Sequence, residues 1–95
     1  MVNLEYHNIK IEKFEGSKQI LIKGEVTNHS EQDLSTVAVR IILFDKNVAM
    51  VNVVFMVNNL STTSTKGFEK IIDNADYDQI TKNLTRYEVY TDSYY

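Results

Sequence analysis

The chain has 95 residues, 43% hydrophobic and 24% charged, with a formal net charge of -3 and neither cysteine nor proline. That is enough for one domain over 1–95 with a single core, and too apolar for a disordered chain. Excess acid argues against a binder of nucleic-acid backbone, and the missing cysteines exclude disulfides and thiolate metal sites.

The opening "MVNLEYHNIKIEKF" interleaves charge with apolar residues and holds no stretch of signal-peptide length. The greasiest run, Val48 to Val57, is broken by Asn52 and falls short of the ~20 residues that a membrane helix needs. Any membrane attachment is therefore expected from segments outside this chain.

Period two dominates the rest. Leu4 and Tyr6 alternate with polar residues, then the phase slips by one to Ile9 and Ile11. Such a slip marks a bulge or break in a strand. "QILIKGEVTN" predicts a clean strand with Ile20, Ile22, Gly24 and Val26 inward, Gly24 making room for something bulky. The polar "NHSEQDLS" connects it to the next element.

Val37 to Val57, "VAVRIILFDKNVAMVNVVFMV", predicts a hairpin with a three-residue loop at Asp45-Lys46-Asn47. Phe44 then faces Val48, Ile42 faces Met50 and Arg40 faces Asn52, with Asn47 in the left-handed position. One face, Val37, Val39, Ile41 and Leu43 with Ala49, Val51, Val53 and Phe55, makes a complete core side. The other face is also apolar: Ile42, Phe44, Val48, Met50, Val54 and Met56.

Beyond a polar loop, Phe68 points inward near Ile71 or Ile72. Tyr77, Ile80 and Leu84 then change to helical spacing, and Asp76 with Gln79 resembles a capping box. "RYEVYTDSYY" closes as a strand, with Tyr87, Val89 and Thr91 on one side and Glu88, Tyr90 and Asp92 on the other. The sum is an all-β chain: an antiparallel sandwich of about seven strands with one short helical crossing.

"ILIKGEVTNHS" followed by "LSTVAVRIILFD" resembles the FxLYD domain, a bacterial and archaeal immunoglobulin-like module. Gly24, Val26, Asn28 and Ser30 match its G-x-V-x-N-x-S strand end. Leu43 and Asp45 match the F-x-L-Y-D strand, while Phe44 replaces its tyrosine and Ile41 its first phenylalanine. Phe68 stands for the later aromatic, after a loop lacking the family's Pro-Gly. The resemblance spans Gln19 to about Tyr90 and implies an immunoglobulin-like sandwich in an extracytoplasmic setting, on the cell surface or secreted. It implies no active site or cofactor. Packing explains the matched positions: Gly24 for close approach, Asn28 for the turn, Asp45 for capping the hairpin loop.

The apolar outer face of the hairpin is either covered by another element or is a contact surface for a protein partner or a second copy. Tyr87, Tyr90, Tyr94 and Tyr95 offer an alternative, a platform for a small ligand or carbohydrate. Asp73, Asp76 and Asp78 supply calcium-type oxygens without the ligand spacing of an EF-hand, so capping and solvation account for them. His7 and His29 lack neighbouring ligands at metal spacing, and no G-x-S-x-G elbow supports nucleophilic catalysis. "NHS", "NLS" and "NLT" match the glycosylation acceptor pattern, as chance allows in an Asn-rich chain. The expected role is a non-catalytic interaction or spacer module.

Overall fold

The computed structural model describes residues 2–95. Its elements are β1 (Leu4–Lys13), β2 (Ile20–Asn28), β3 (Leu34–Asp45), β4 (Val48–Leu60), β5 (Thr65–Ile72), α1 (Tyr77–Asn83) and β6 (Arg86–Tyr94). Two antiparallel three-stranded sheets form, in the orders β1-β2-β5 and β4-β3-β6. The chain changes sheet after β2, returns after β4, and crosses again after β5 through α1. This is the crossing pattern of an immunoglobulin-like sandwich. Among the described residues there are six strands, against about seven expected, and α1 is the expected helical crossing between Ile72 and Arg86.

Alternation along β2 is strict: Ile20, Ile22, Gly24, Val26 and Asn28 are buried and the residues between them are half-exposed. They face Val37, Val39, Ile41 and Leu43 of β3, all fully buried in the same core. The phase slip in β1 is a real bulge. His7 pairs with Glu25 and Lys10 with Lys23, leaving one extra residue opposite Gly24, and Asn8 takes a φ of 54°. The bulge turns Ile9 inward, so Leu4, Tyr6, Ile9 and Ile11 all join the core.

Gly24 lies between Ile9 on β1 and Phe68 on β5. A Cβ there would come within 2.5 Å of Ile9 Cδ1 and 2.6 Å of Phe68 Cζ. The space that glycine leaves admits the Phe68 ring, which meets Tyr6 edge-on at 6.5 Å and Phe55 of the opposite sheet at 5.2 Å. Tyr6 adds a polar link between sheets, its hydroxyl lying 2.6 Å from Thr91 Oγ1 on β6. Burial pushes the Tyr6 phenol above its ordinary pKa, against the opposing pull of the Thr91 bond.

The hairpin differs from its expected register. Only Lys46 and Asn47 form the turn: Asp45 pairs with Val48 and Phe44 with Ala49. Lys46, not Asn47, takes the left-handed φ of 56°. Met50 is then bulged out, so Leu43 pairs with Val51, Ile42 with Asn52 and Arg40 with Val54. Past the bulge the register sits two residues from the expected one. A shift of two preserves the face of every side chain. The inward set therefore survives, except Ala49, which lies opposite Phe44 and is exposed. Thr85 secures the turn where Asp45 was expected to cap it, accepting from Lys46 N at 2.7 Å and donating its own amide to Phe44 O at 2.9 Å.

α1 closes the end of the sandwich that holds the β1–β2 turn. Asp76 is its N-cap, accepting from Gln79 N at 3.2 Å, and Tyr77 N donates to Lys18 O at 2.7 Å. Seven residues are too few for a free-standing helix, and Ala75, Tyr77, Ile80 and Leu84 hold it by packing on the core.

At the opposite end Asn28 is wholly buried and fully bonded. Its Nδ2 donates to Gln32 O (2.9 Å) and Leu60 O (3.2 Å), while Oδ1 accepts from the Ser30 amide (2.9 Å) and hydroxyl. Its backbone engages the β4–β5 connection, donating to Ser64 O (2.9 Å) and accepting from Thr63 N (2.8 Å). The site is thus a joint between two connections, and the buried amide of "NHS" is closed to glycosylation.

Three substitutions test these contacts by urea denaturation. Gly24→Ala loses about 1–3 kcal/mol through overpacking, and Ile9→Val, by shortening the nearer neighbour, recovers part of it in the double variant. Asn28→Asp sets a carboxylate against two carbonyls and costs at least about 3 kcal/mol at neutral pH. The loss shrinks in acid, where the carboxyl takes up a proton and becomes neutral.

Candidate interaction surface

The outer face of the β4-β3-β6 sheet carries Ala38, Arg40, Ile42 and Phe44 on β3. Asn52, Val54 and Met56 flank them on β4, and Arg86, Glu88 and Tyr90 on β6. The other sheet and α1 both pack on the inner side, so among the described residues no element lies over this face. It is neither a second core nor a bare apolar plate. Ile42 retains 9% of its surface and Ala38 2%, shut in by neighbours on both strands. Phe44, Met50 and Val54 are half-buried, whereas Val48 and Met56 are 66% and 56% exposed.

Arginines provide the partial cover. The Arg86 guanidinium carbon stands 3.8 Å from the Phe44 ring centroid, within cation–π range, and its Nη1 donates to Glu88 at 2.6 Å. Arg40 spans the sheet, Nε donating to Asp92 on β6 (2.9 Å) and Nη1 to Asn52 on β4 (2.6 Å). The Asp92 hydrogen bond holds the Arg40 guanidinium above its ordinary pKa. Asp92 reaches this position because it is the extra residue of a bulge, between Thr91 paired to Val39 and Ser93 paired to Ala38. Long basic side chains lay their stems on apolar surface and keep their heads wet. What stays uncovered on this face is displaced to the β4 side, at Val54 and Met56.

Of the six residues singled out in the sequence, Ile42, Phe44, Val54 and Met56 share the outer face, in three different states of exposure. Met50 is the bulge residue. Val48, paired with Asp45 at the hairpin tip, falls in the opposite phase, because the two-residue turn gives its expected place opposite Phe44 to Ala49. Sequence reasoning missed the two arginines as cover. Their signal was present, since Arg40 and Arg86 fall in the outer phase of their strands, but only the β3–β6 pairing brings Arg86 opposite Phe44.

The C-terminal tyrosines do not share a platform. Tyr87 pairs with Leu43 on the inner side and Tyr90 with Arg40 on the outer side, while Tyr94 lies opposite Val37. A shallow cleft of about 520 Å³ between the start of β1 and the end of β6 has Tyr94 as its single aromatic lining residue. Asp73, Asp76 and Asp78 also diverge: Asp73 accepts from Gln19 Nε2 (2.7 Å), Asp76 caps α1, and Asp78 pairs with Lys13 (3.4 Å). Among the described residues no three His, Asp or Glu side chains are grouped for a metal, and no helix is long and apolar enough to cross a membrane.

No family model, curated protein or solved structure matches this chain. The site must be read from its own geometry.

The histidines have partners that the sequence did not suggest. His7 Nε2 lies 2.8 Å from Thr27 Oγ1, and His29 Nε2 lies 2.7 Å from Glu5 Oε1. The bond from His29 holds the Glu5 carboxyl below the ordinary glutamate range. A lowered folded-state pKa favours the fold above the unfolded value of about 4.3, and this contribution is lost as pH falls through the folded value. NMR titration of the Glu5 side chain is expected to give a midpoint below that of a free glutamate, and His29→Ala to return it to the ordinary range. A midpoint that His29→Ala leaves unmoved removes the bond as the cause.

Proposed function

We propose that this chain is a non-catalytic interaction module whose contact surface is the outer face of the β3–β4 hairpin. One observation carries the reading: Met56 is strongly exposed beside half-buried Val54, with half-buried Phe44 further along the same face, over which no element packs among the described residues. Apolar residues so grouped at a sheet surface suit a protein partner, and methionine adapts to differently shaped ones. Arg40, Arg86 and Glu88, on β3 and β6, border the uncovered β4 part of the face with polar groups, as at many protein interfaces.

The setting we propose is extracytoplasmic, within a bacterial surface or membrane-anchored protein. The resemblance to FxLYD domains supports it, through Gly24, Val26, Asn28 and Ser30 and through Ile41 to Asp45. In such a setting the domain either holds a partner or spaces other domains apart. The scattered tyrosines give the carbohydrate reading no comparable surface.

Photo-crosslinking in the source cell tests the contact. A crosslinking residue at Met56 is expected to capture a defined protein, and one at Glu69 on the other sheet is not. Excess free domain should compete the adduct away, whereas domain carrying Met56→Glu should not. Equal capture from both positions, or competition unaffected by Met56→Glu, rejects the face as the contact surface.

A further inference from the structure

The four sheet edges are not equally protected. β1 carries Glu5, Lys10, Glu12 and Lys13 and bulges at Asn8. β5 holds Lys66 and Lys70 in the inward phase, opposite Val26 and Ile22, an arrangement that discourages further pairing. β6 carries Arg86, Glu88 and Asp92, with a bulge at Asp92. β4, "VAMVNVVFMVNNL", is 13 residues long and has no charge. Its bulge lies at the hairpin end, and Val51 to Asn58 run in regular register along β3.

Backbone direction identifies the free groups on that edge. On β3, Phe44 O accepts from Thr85 N and Thr36 O from Tyr95 N, both at 2.9 Å and both on the β6 side. Neighbouring residues of a strand point their amides to opposite edges, so Val37, Val39, Ile41 and Leu43 turn theirs toward β4. Their partners Val57, Phe55, Val53 and Val51 are thereby bonded within the sheet. Asn52, Val54 and Met56 are left directing N–H and C=O outward. Lys66 Nζ donates to the Asn58 carbonyl, as this phase requires, and ends the open stretch there.

We infer that this edge pairs with a second copy of the chain, antiparallel about a two-fold axis at Val54. In that register Val54 exchanges two hydrogen bonds with its counterpart, and each Asn52 exchanges two with the opposing Met56. All the outward groups of the open stretch are then paired. Val53 faces Phe55 and Val51 faces Val57 across the axis, so no charge meets a like charge and apolar residues meet apolar ones. Charge selects the occupant, because a strand that opposes itself must tolerate itself, and of the four edges only β4 is free of charge. The two β4-β3-β6 sheets become one six-stranded sheet, and the uncovered residues Val54 and Met56 of both copies lie side by side on its outer face. The inference rests on the contact reading of that face, and adds an occupant and a register.

Sedimentation velocity up to about millimolar protein, the weak end of specific association, is expected to show dimer formation. Val54→Pro removes only an outward N–H, which an edge strand tolerates, and is expected to leave a folded monomer by circular dichroism. If Val54→Pro fails to fold, a cysteine reporter decides. The chain has no cysteine of its own, and a hydrogen-bonded pair at the axis holds its Cα atoms about 5.5 Å apart, within disulfide reach. Val54→Cys should oxidise to a covalent dimer many-fold faster than Glu69→Cys. A wild-type chain that stays monomeric, with Val54→Cys no faster than Glu69→Cys, overturns self-pairing and leaves the outer face as a contact for a different protein. A dimer that persists in folded Val54→Pro also overturns it, since its interface then lies elsewhere. Loss of Met56 crosslinking to other proteins alongside a Val54-dependent dimer would instead reject the wider contact role alone.

Discussion

The buried side chain of Asn28 is the constraint on which the rest of the sandwich depends. It sits where the chain leaves one sheet for the other, and its amide must satisfy the carbonyls of Gln32 and Leu60 while its oxygen holds Ser30. Buried polar groups are costly unless bonded, so this geometry admits little slack. It sets the point at which β3 begins and the point at which β4 ends. Side chains alternate with a period of two, so a slip of one residue at this corner would turn Val37, Val39, Ile41 and Leu43 to solvent. The inner and outer faces of the hairpin are therefore defined from the far end of the molecule.

The second joint is apolar. Gly24 lets Phe68 approach β2 closely enough to touch both Tyr6 and Phe55, so a single ring contacts residues from both sheets. The bulge at Asn8 serves the same contact by turning Ile9 inward opposite the glycine. With the core closed by these contacts and by α1, the apolar outer residues of β3 and β4 have no interior place left. Arg40 and Arg86 cover the middle of that face, and the remainder gathers on the uncharged edge strand. Face and edge meet on β4, where Met56 is strongly exposed.

Much of this architecture was legible in the residues. Strict alternation marked β2, the break between Tyr6 and Ile9 marked the bulge, and Asp76 with Gln79 marked the helix start. Each is a local pattern whose physical cause lies within a few residues. The hairpin turn was placed correctly but given one residue too many, and the Met50 bulge, which shifts the register by one more, leaves no mark in a run that is apolar on both faces. The candidate surface was legible as a list of residues and not as a surface. Its cover by Arg86 depends on β6, which lies more than forty positions away from Phe44 in the chain.

By itself, then, the sequence determined the element types, the inward set apart from Ala49 and the all-β sandwich, since side-chain period and turn chemistry act over short distances. The tertiary structure decided the hairpin register, the partner of each arginine, the divergence of the tyrosines and which edges carry protecting charge. Those outcomes depend on which strands become neighbours. Neighbourhood in a sandwich is set by contacts between residues far apart in the chain, and no local periodicity encodes them.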